Sequence, residues 1–132
     1  MAADDRNKVT ILKLRRQKRQ GNKTVLVTAY DYPQARIADG AGVDAILVGD
    51  SVGMTTLGYK TTIPVTMDDM IRHSSAVAKG AKKAFLIGDM PYMSYQVSNE
   101  EAVANAGRFI QAGMDCVKVE GAMTDRIKAI AD

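Results

Sequence analysis

Acidic side chains follow three apolar segments of this sequence, each where the segment ends. The segment ends read VGDS at residues 48–51, GDMP at 88–91 and KVEG at 118–121. Asp50 and Asp89 each follow a glycine and do not lead straight into a predicted helix, which separates them from ordinary helix caps. Carboxylates that meet at one point repel each other unless a cation lies between them. Such an oxygen-rich set suits Mg²⁺ or Mn²⁺, which keep several waters and take further ligands from a substrate.

The period of a β-strand predicts which side chains accompany each acid. Side chains alternate between two faces, so each acid should share a face with the residues two and four positions before it. The predicted sets are Ile46, Val48 and Asp50, then Phe85, Ile87 and Asp89, then Cys116, Lys118 and Glu120. Three carboxylates and one ammonium would then converge. Two plainer interpretations stay open: Glu120 could only pair with Lys118, and a lone aspartate such as Asp31 could be a helix cap.

A second kind of chemistry is suggested by GDSVG at residues 49–53, which matches the G-x-S-x-G elbow of α/β-hydrolases. That elbow needs a helix directly after its serine, whereas the residues that follow the motif, 54–60, are predicted to form a loop. A triad also needs a histidine at a later strand end, and His73, the sole histidine, falls within a predicted helix. The sequence therefore disfavours a serine hydrolase, and His73 is interpreted as a helix-surface or packing residue.

Four predicted strands position these residues, at 24–30, 44–50, 84–89 and 116–120. Asp31 should cap the first intervening helix, with Ala35, Ile37 and Ala38 on its apolar side. Capping boxes begin the next two helices at Thr66 and, more strictly, at Ser98, and Thr124 is predicted to cap a fourth. The predicted buried stripes are Met67, Met70, Ile71, Ser74, Val77 and Ala78, then Ala102, Val103, Ala106, Phe109 and Ile110.

Repeated strand-helix units imply an α/β fold with parallel strands, and continuously apolar strands favour a sheet covered on both sides. Two architectures fit: an open doubly wound sheet and a TIM (β/α)8-barrel, both with active sites at the carboxyl ends of the strands. No G-x-G-x-x-G or P-loop supports a doubly wound nucleotide binder. We predict that residues 1–132 form the N-terminal half of one barrel domain, either truncated or pairing with another copy. Residues 1–22 would be a leading basic helix and 23–132 the first four β/α units.

Charge and composition limit the partners. Residues 9–23 contain six basic and no acidic side chains, namely Lys13, Arg15, Arg16, Lys18, Arg19 and Lys23. Without aromatic residues to stack on bases, this pattern favours a solvated helix face, with Val9, Ile11 and Leu12 packing. A net charge of +3 and no long apolar run predict neither nucleic acid nor membrane as a partner. The single cysteine, Cys116, is predicted to be a small buried residue. A lone cysteine cannot form an internal disulfide, and together with the absence of a signal peptide it predicts a cytoplasmic location.

Several runs resemble the ketopantoate hydroxymethyltransferase family, in the family's order. They are TAYDY at 28–32, residues 41–54, TTIPVT at 61–66, DMPYMSY at 89–95 and KVEG at 118–121. The resemblance extends over nearly everything from residue 22 to residue 132. Ala122 stands where the family often has a second glycine.

The resemblance implies a TIM barrel, a Mg²⁺ site and a homo-oligomer, commonly a decamer. The implied reaction moves a hydroxymethyl group from 5,10-methylenetetrahydrofolate to the 2-oxo acid 3-methyl-2-oxobutanoate, giving 2-dehydropantoate for pantothenate and coenzyme A biosynthesis. By motif, Asp50 and Asp89 hold the metal and reach the substrate through it, while Ser51 and Lys118 hold the substrate's carboxylate. Glu120 belongs to the metal's shell.

The same resemblance predicts what this chain lacks. The family's catalytic base is a glutamate on the second half of the barrel, without a counterpart here, so the 132 residues alone are expected to be inactive. Two alternatives remain: another metal-dependent 2-oxo-acid barrel of the isocitrate lyase and phosphoenolpyruvate mutase type, and a non-catalytic fragment. The former type carries a Lys-Lys/Arg-Cys-Gly-His loop that this sequence does not contain.

Overall fold

The computed structural model describes residues 7–132, so residues 1–6 of the predicted leading helix lie outside the described residues. In chain order the elements are α1 (Ile11–Arg19), β1 (Leu26–Thr28), α2 (Tyr32–Gly40), β2 (Ala45–Val48), α3 (Val52–Thr55), α4 (Met67–Gly80), β3 (Phe85–Asp89), α5 (Asn99–Gln111), β4 (Cys116–Lys118) and α6 (Thr124–Ala131). The strands form one parallel sheet in the order β1-β2-β3-β4. The predicted α/β class with four parallel strands is confirmed.

Three helices cover one face of this sheet. Ile46 and Val48 of β2 and Leu86 of β3 belong to a single buried cluster with residues of α2, α4 and α5. The ring of Phe109 from α5 lies directly on Gly88 of β3, where a Cβ would come within 2.3 Å of the ring. The main core therefore lies between the sheet and helices that all occupy the same side.

The opposite face is covered at the amino ends of the strands. Val9 packs there against Ala45 and Phe85, and Leu14, Ile87 and Cys116 lie around them. The predicted packing of Ile11 and Leu12 is wrong: both are exposed, Leu12 to 71%. Leu14 and Gln17, three residues apart, form the inner face of α1, and Gln17 donates a hydrogen bond to Asp44. Four of the five basic residues of α1 are exposed, and Lys13 is partly buried.

The predicted helix stripes are partly wrong at their edges. Ala35 and Asp39 are the buried residues of α2, whereas Ile37 is 74% exposed. In α5, Val103 and Ile110 are also exposed and line a groove with Ile127 of α6. The stripe of α4 is confirmed, with Met70, Ser74 and Val77 fully buried and Met67, Ile71 and Ala78 packed beside them.

Helix starts follow the predicted capping chemistry at three positions. The carboxylate of Asp31 accepts a hydrogen bond from the Gln34 N–H at 2.8 Å, and Thr66 forms a full capping box with Asp69. At Ser98 the hydroxyl accepts the Glu101 N–H, but only this half of the predicted box forms. The prediction for Thr124 is wrong, because this residue is already helical and Met123 precedes it without a side-chain cap.

No helix within residues 7–132 is both long and apolar enough to cross a membrane. Cys116 is half-buried, packs beside the cluster around Val9 and forms no disulfide. Burial raises the pKa of its thiol, so it stays protonated at neutral pH. These contacts agree with the small packing residue predicted at this position.

Candidate active site at the carboxyl ends of the strands

Asp89 lies at the centre of the candidate site. It is the last residue of β3, it pairs in register with Lys118 of β4, and it is only 3% exposed. Its Oδ1 atom accepts a hydrogen bond from Lys118 Nζ at 2.7 Å, and its Oδ2 atom accepts one from the Asp50 N–H at 3.2 Å. One carboxylate therefore ties together the ends of β2, β3 and β4.

Lys118 connects this buried carboxylate to an exposed one. Its Nζ atom also donates to Oε1 of Glu120 at 2.7 Å, although the Glu120 side chain is 70% exposed. The pairing of Glu120 with Lys118, which the sequence left open, is present in the structure. Within residues 7–132, no three acidic, histidine or cysteine side chains lie close enough together to hold a metal ion.

Asp50 approaches Asp89 by a route that strand alternation did not predict. Ile46 and Val48 pair with Leu86 and Gly88 and point to the helices, so they lie on the face opposite Asp89. The set that contains Ile46 and Val48 therefore does not share the face of Phe85, Ile87 and Asp89, and alternation alone would not bring Asp50 to Asp89. The strand ends at Val48, and the chain turns through Gly49, which interrupts the alternation and directs the Asp50 N–H towards Asp89.

The electrostatics of the site are dominated by burial. Burial raises the pKa of Asp89 above its usual value, and the hydrogen bonds from Lys118 and Asp50 offset only part of that effect. Lys118 is more exposed: burial would lower its pKa, but its bonds to Asp89 and Glu120 raise it overall. The same ammonium lowers the pKa of Glu120. Asp89 is thus a buried carboxylate that one ammonium neutralises incompletely.

Ser51 is held by a tyrosine that the sequence analysis did not single out. The Tyr30 hydroxyl lies 2.9 Å from Ser51 Oγ, and Nδ1 of His73 lies 2.6 Å from the Tyr30 carbonyl oxygen. Gly49 leaves room for this hydroxyl, because a Cβ at that position would come within 2.8 Å of Ser51 Oγ. The position of Tyr30 at the end of the first strand was the only signal in the sequence.

The predicted loop at residues 54–60 is wrong at its start, because the one-turn helix α3 spans Val52–Thr55 directly after Ser51. The helix criterion that counted against a hydrolase elbow therefore fails. The histidine criterion stands: His73 lies in α4 and contacts the carbonyl of Tyr30, and its ring forms no hydrogen bond with Ser51. His73 is thus a packing residue of α4, as predicted.

Two further residues that the sequence analysis missed hold the loops around the site. The hydroxyl of Tyr95 lies within hydrogen-bond distance of both the N–H and the carbonyl of Glu120. Arg126 of α6 donates in turn to the Tyr95 carbonyl at 3.1 Å. These contacts join residues 25 and 31 positions apart, so no local sequence pattern indicates them.

The donor set fits a divalent cation held by two carboxylates. Asp50 accepts no hydrogen bond on its carboxylate from any residue within 7–132, yet its charge reaches Asp89 and contributes to raising the pKa of that group. Mg²⁺ commonly takes only one or two protein carboxylates and completes its shell with water and substrate oxygens. The pair formed by Asp50 and Asp89 meets this requirement without a third protein ligand.

Comparisons with known sequences identify the family of the chain. The family model described as ketopantoate hydroxymethyltransferase matches residues 8–132. The 3-methyl-2-oxobutanoate hydroxymethyltransferase of Thermoanaerobacter sp. (strain X514) is 51% identical over 128 residues, covering 95% of this chain and 47% of the relative. The enzyme of the same name from Ignicoccus hospitalis is 53% identical over 125 residues, covering 93% and 48%. The chain spans about half the length of the curated relatives it matches.

Solved structures with a similar fold are more distant in sequence. A 2,3-dimethylmalate lyase, described as a member of the PEP mutase/isocitrate lyase superfamily, superposes with a TM-score of 0.69 at 18% identity, covering 91% of this chain and 47% of that one. A phosphonopyruvate hydrolase in complex with oxalate and Mg²⁺ gives a TM-score of 0.67 at 15% identity, covering 89% and 44%. These likenesses concern the fold alone.

Proposed function

Because the chain belongs to the ketopantoate hydroxymethyltransferase family, we propose that the protein carrying it is a 3-methyl-2-oxobutanoate hydroxymethyltransferase. In this proposal it transfers a hydroxymethyl group from 5,10-methylenetetrahydrofolate to 3-methyl-2-oxobutanoate, and 2-dehydropantoate enters pantothenate and coenzyme A biosynthesis. The observation that carries the proposal is the meeting of Asp50, Asp89 and Lys118 at the ends of three neighbouring strands.

In this proposal Asp50 and Asp89 hold Mg²⁺ or Mn²⁺, and Glu120 belongs to the metal's shell directly or through water. Support comes from the Asp50 carboxylate, which has no hydrogen-bond partner within residues 7–132, and from the buried carboxylate beside it. A structurally similar phosphonopyruvate hydrolase has been solved with oxalate and Mg²⁺. When bound, such an ion supplies a Lewis acid that stabilises the negative charge developing on the keto oxygen of the substrate.

Lys118 and Ser51 are proposed to bind the carboxylate of the 2-oxo acid. An ammonium has three N–H donors, and Asp89 and Glu120 accept two of those of Lys118, which leaves a third for a substrate oxygen. Tyr30 can donate its hydroxyl proton to Ser51 Oγ, which leaves the Ser51 proton for the substrate. Both bonds would orient the substrate, and the ammonium would offset its charge.

Proton removal from C3 of the substrate needs a base, for which we propose a glutamate in the half that the relatives carry beyond the matched region. The 132 residues are accordingly proposed to be inactive alone.

We also propose that residues 1–132 are the N-terminal half of a TIM barrel, with 1–22 forming a leading segment and 23–132 forming four β/α units. Two observations support a barrel over a doubly wound sheet. Strand order follows chain order without reversal, and α2, α4 and α5 share one face.

The remaining parts of the proposal concern assembly and location. We propose that the protein forms a homo-oligomer, as the family resemblance implies. We also propose that it is a cytoplasmic enzyme, because the free thiol of Cys116 is protonated and suits a reducing compartment. The proposal involves only small molecules, the 2-oxo acid and the folate. The alternative reaction of the isocitrate lyase and PEP mutase type is supported by the fold likeness alone, at 15–18% identity.

Calorimetry with Mg²⁺ on the full-length protein tests the metal site, using Asp50→Ala and Asp89→Ala. We expect each change to weaken Mg²⁺ binding by at least about tenfold, since each removes a ligand. Asp68→Ala is the matched control, because Asp68 is exposed and pairs with Arg108, which is not a residue of the site. Undiminished affinity in both site variants would contradict the proposal.

The proposed reaction is tested separately by turnover of 3-methyl-2-oxobutanoate with 5,10-methylenetetrahydrofolate. The full-length protein should form 2-dehydropantoate, and the 132-residue chain should not, because the proposed base lies outside it. Appreciable turnover by the 132 residues alone would refute the assignment of the base.

A further inference from the structure

We infer that Tyr95 is a positioning residue that fixes where the Glu120 carboxylate meets Lys118 and Asp89. The inference rests on the proposed function, because it is the metal's shell that gives the position of Glu120 its importance. Tyr95 lies in the loop between β3 and α5, and it reaches across to the end of β4. It would contact neither the metal nor the substrate, and would act through Glu120.

Tyr95 combines a buried ring with a fully used hydroxyl. The residue is 4% exposed, and its ring belongs to the main core cluster. The Glu120 N–H donates to the Tyr95 hydroxyl oxygen at 3.1 Å, and that hydroxyl donates to the Glu120 carbonyl at 3.2 Å. A tyrosine held by its ring thus binds both backbone groups of one residue.

Within residues 7–132, those two backbone groups have no strand partner. The pairing of β4 with β3 ends with the hydrogen bond from the Met90 N–H to the Lys118 carbonyl, two residues before Glu120. Gly121 follows with a φ of +92°, a left-handed conformation in which the chain turns away. The Tyr95 hydroxyl supplies the acceptor and the donor that a neighbouring strand would supply, so it sets the direction in which Glu120 leaves the sheet.

The loop that carries Tyr95 is itself held by α6. Arg126 Nε donates to the Tyr95 carbonyl at 3.1 Å, and Nη2 lies 3.4 Å from the carbonyls of Gln96 and Val97. Nη1 donates to the side chain of Asn99 at the start of α5. A guanidinium is planar and offers its donors in a fixed arrangement, so these bonds fix the loop in one conformation.

A fixed backbone matters at Glu120 because its side chain is otherwise free. The side chain is 70% exposed, and the ammonium of Lys118, at 2.7 Å, is its only hydrogen-bond partner within residues 7–132. An exposed ion pair of this kind contributes little by itself to holding a side chain in one place. The backbone anchor at Tyr95 therefore decides how much of the time Glu120 lies beside Lys118 and Asp89.

The test is Mg²⁺ binding to the full-length protein, measured by calorimetry with Mg²⁺ alone. Tyr95→Phe keeps the buried ring and removes both hydrogen bonds to Glu120, and it should weaken Mg²⁺ binding by about tenfold, as changes behind a metal's ligands do. Tyr92→Phe is the matched control: Tyr92 is in the same loop, is 54% exposed and forms no hydrogen bond with residues 7–132. It should bind Mg²⁺ like the unchanged protein.

A double substitution separates positioning from a general loss of structure. If Tyr95 acts through Glu120, then Tyr95→Phe combined with Glu120→Gln should bind Mg²⁺ no more weakly than Glu120→Gln alone. Additive losses, an unchanged Tyr95→Phe or an unchanged Glu120→Gln would each overturn the inference. If Tyr95→Phe does not fold, Arg126→Gln tests the inference from α6, because it removes the hydrogen bonds that hold the loop carrying Tyr95. Mg²⁺ binding should weaken by the same factor, and unchanged affinity would also overturn the inference.

These outcomes are distinct from a failure of the proposed function. An unchanged protein that binds no Mg²⁺ refutes the metal site itself, and the inference fails with it. Mg²⁺ binding that depends on Asp50 and Asp89 but is insensitive to Tyr95→Phe refutes the inference alone.

Discussion

The two ends of the sheet carry acidic side chains that differ in what their oxygens contact. At the amino ends are the lower aspartates, Asp39, Asp44 and Asp115, and at the carboxyl ends are the upper acids, Asp50, Asp89 and Glu120. Asp39 accepts hydrogen bonds from the backbone N–H groups of Lys82, Lys83 and Ala84. Asp44 accepts the Val25 N–H and the Gln17 side-chain amide, and Asp115 accepts the Leu86 N–H and the Lys8 ammonium. The lower aspartates therefore hold the chain together.

The upper acids contact few backbone donors. Asp89 accepts a single backbone N–H, from Asp50, and otherwise meets Lys118, while Glu120 also meets Lys118. Asp39 is thus structural because backbone donors surround it, whereas the carboxylates of Asp50 and Glu120 accept no backbone N–H within residues 7–132 and are available to a ligand. In a parallel sheet the two cases separate by position, because ligands bind at the carboxyl ends of the strands.

The largest expected effect is a loss of stability when a lower aspartate is replaced. Asp39→Ala leaves three backbone donors without their charged acceptor, and the free energy of unfolding should fall by roughly 3 to 5 kcal/mol. Denaturant unfolding of the full-length protein measures this change. Mg²⁺ affinity should remain unchanged in the folded variant. A fall below about 1 kcal/mol would contradict the structural role.

A smaller effect of opposite sign is expected at the upper end. The folded-state pKa of Asp89 is raised by burial, so its contribution to stability is present below its unfolded pKa of about 3.9 and lost as pH rises through the folded pKa. Asp89→Asn removes the buried charge, and Lys118 keeps Glu120 as a partner. Without added Mg²⁺ at pH 7, the melting temperature should not fall, and its decline with rising pH should lessen. A loss like that of Asp39→Ala would remove the distinction between the two ends.

The smallest effect concerns Asp69, a partly buried acid at the start of α4 that has a structural role. Hydrogen bonds from the hydroxyl and the N–H of Thr66 lower the pKa of Asp69. Asp69→Ala should lower the free energy of unfolding by about 0.5 to 1 kcal/mol at pH 7. Because the folded pKa is depressed, this difference should shrink as pH falls below the unfolded value of about 3.9 towards the folded one.

Glu101→Ala is the matched control for Asp69. Glu101 occupies the same position in α5, where only the serine half of the capping box forms. The change should therefore cost less than Asp69→Ala in the same unfolding experiment. Equal losses would show that the reciprocal hydrogen bond of Asp69 adds nothing.

Local patterns in the sequence predicted the elements and part of the site. Asp31 and Thr66 cap their helices as expected, because capping depends on residues three positions apart. The approach of Asp50 to Asp89 agrees with the shared ends of parallel strands, but Ile46 and Val48, predicted to share the face of Asp50, lie on the face opposite Asp89. Alternation applies only while the strand lasts, and the turn at Gly49 cannot be located from apolar residues alone.

The short helix α3 was not predicted, because it contains Gly53 and two β-branched residues, Val52 and Thr55, which favour helix weakly.

Contacts between distant segments were not predictable from local patterns. Tyr30 and Tyr95 each act through one hydroxyl on a segment more than twenty positions away. A buried tyrosine needs a partner for its hydroxyl, but the sequence does not identify that partner.

The contact of Phe109 with Gly88 has a mechanical consequence for the site. Because Gly88 has no side chain, the Phe109 ring packs on the backbone of β3 itself, and this contact sets the spacing between α5 and the strand. A displacement of α5 is transmitted directly to the strand, and the next residue along that strand is Asp89. The packing of α5 therefore acts on the backbone directly beside the central carboxylate.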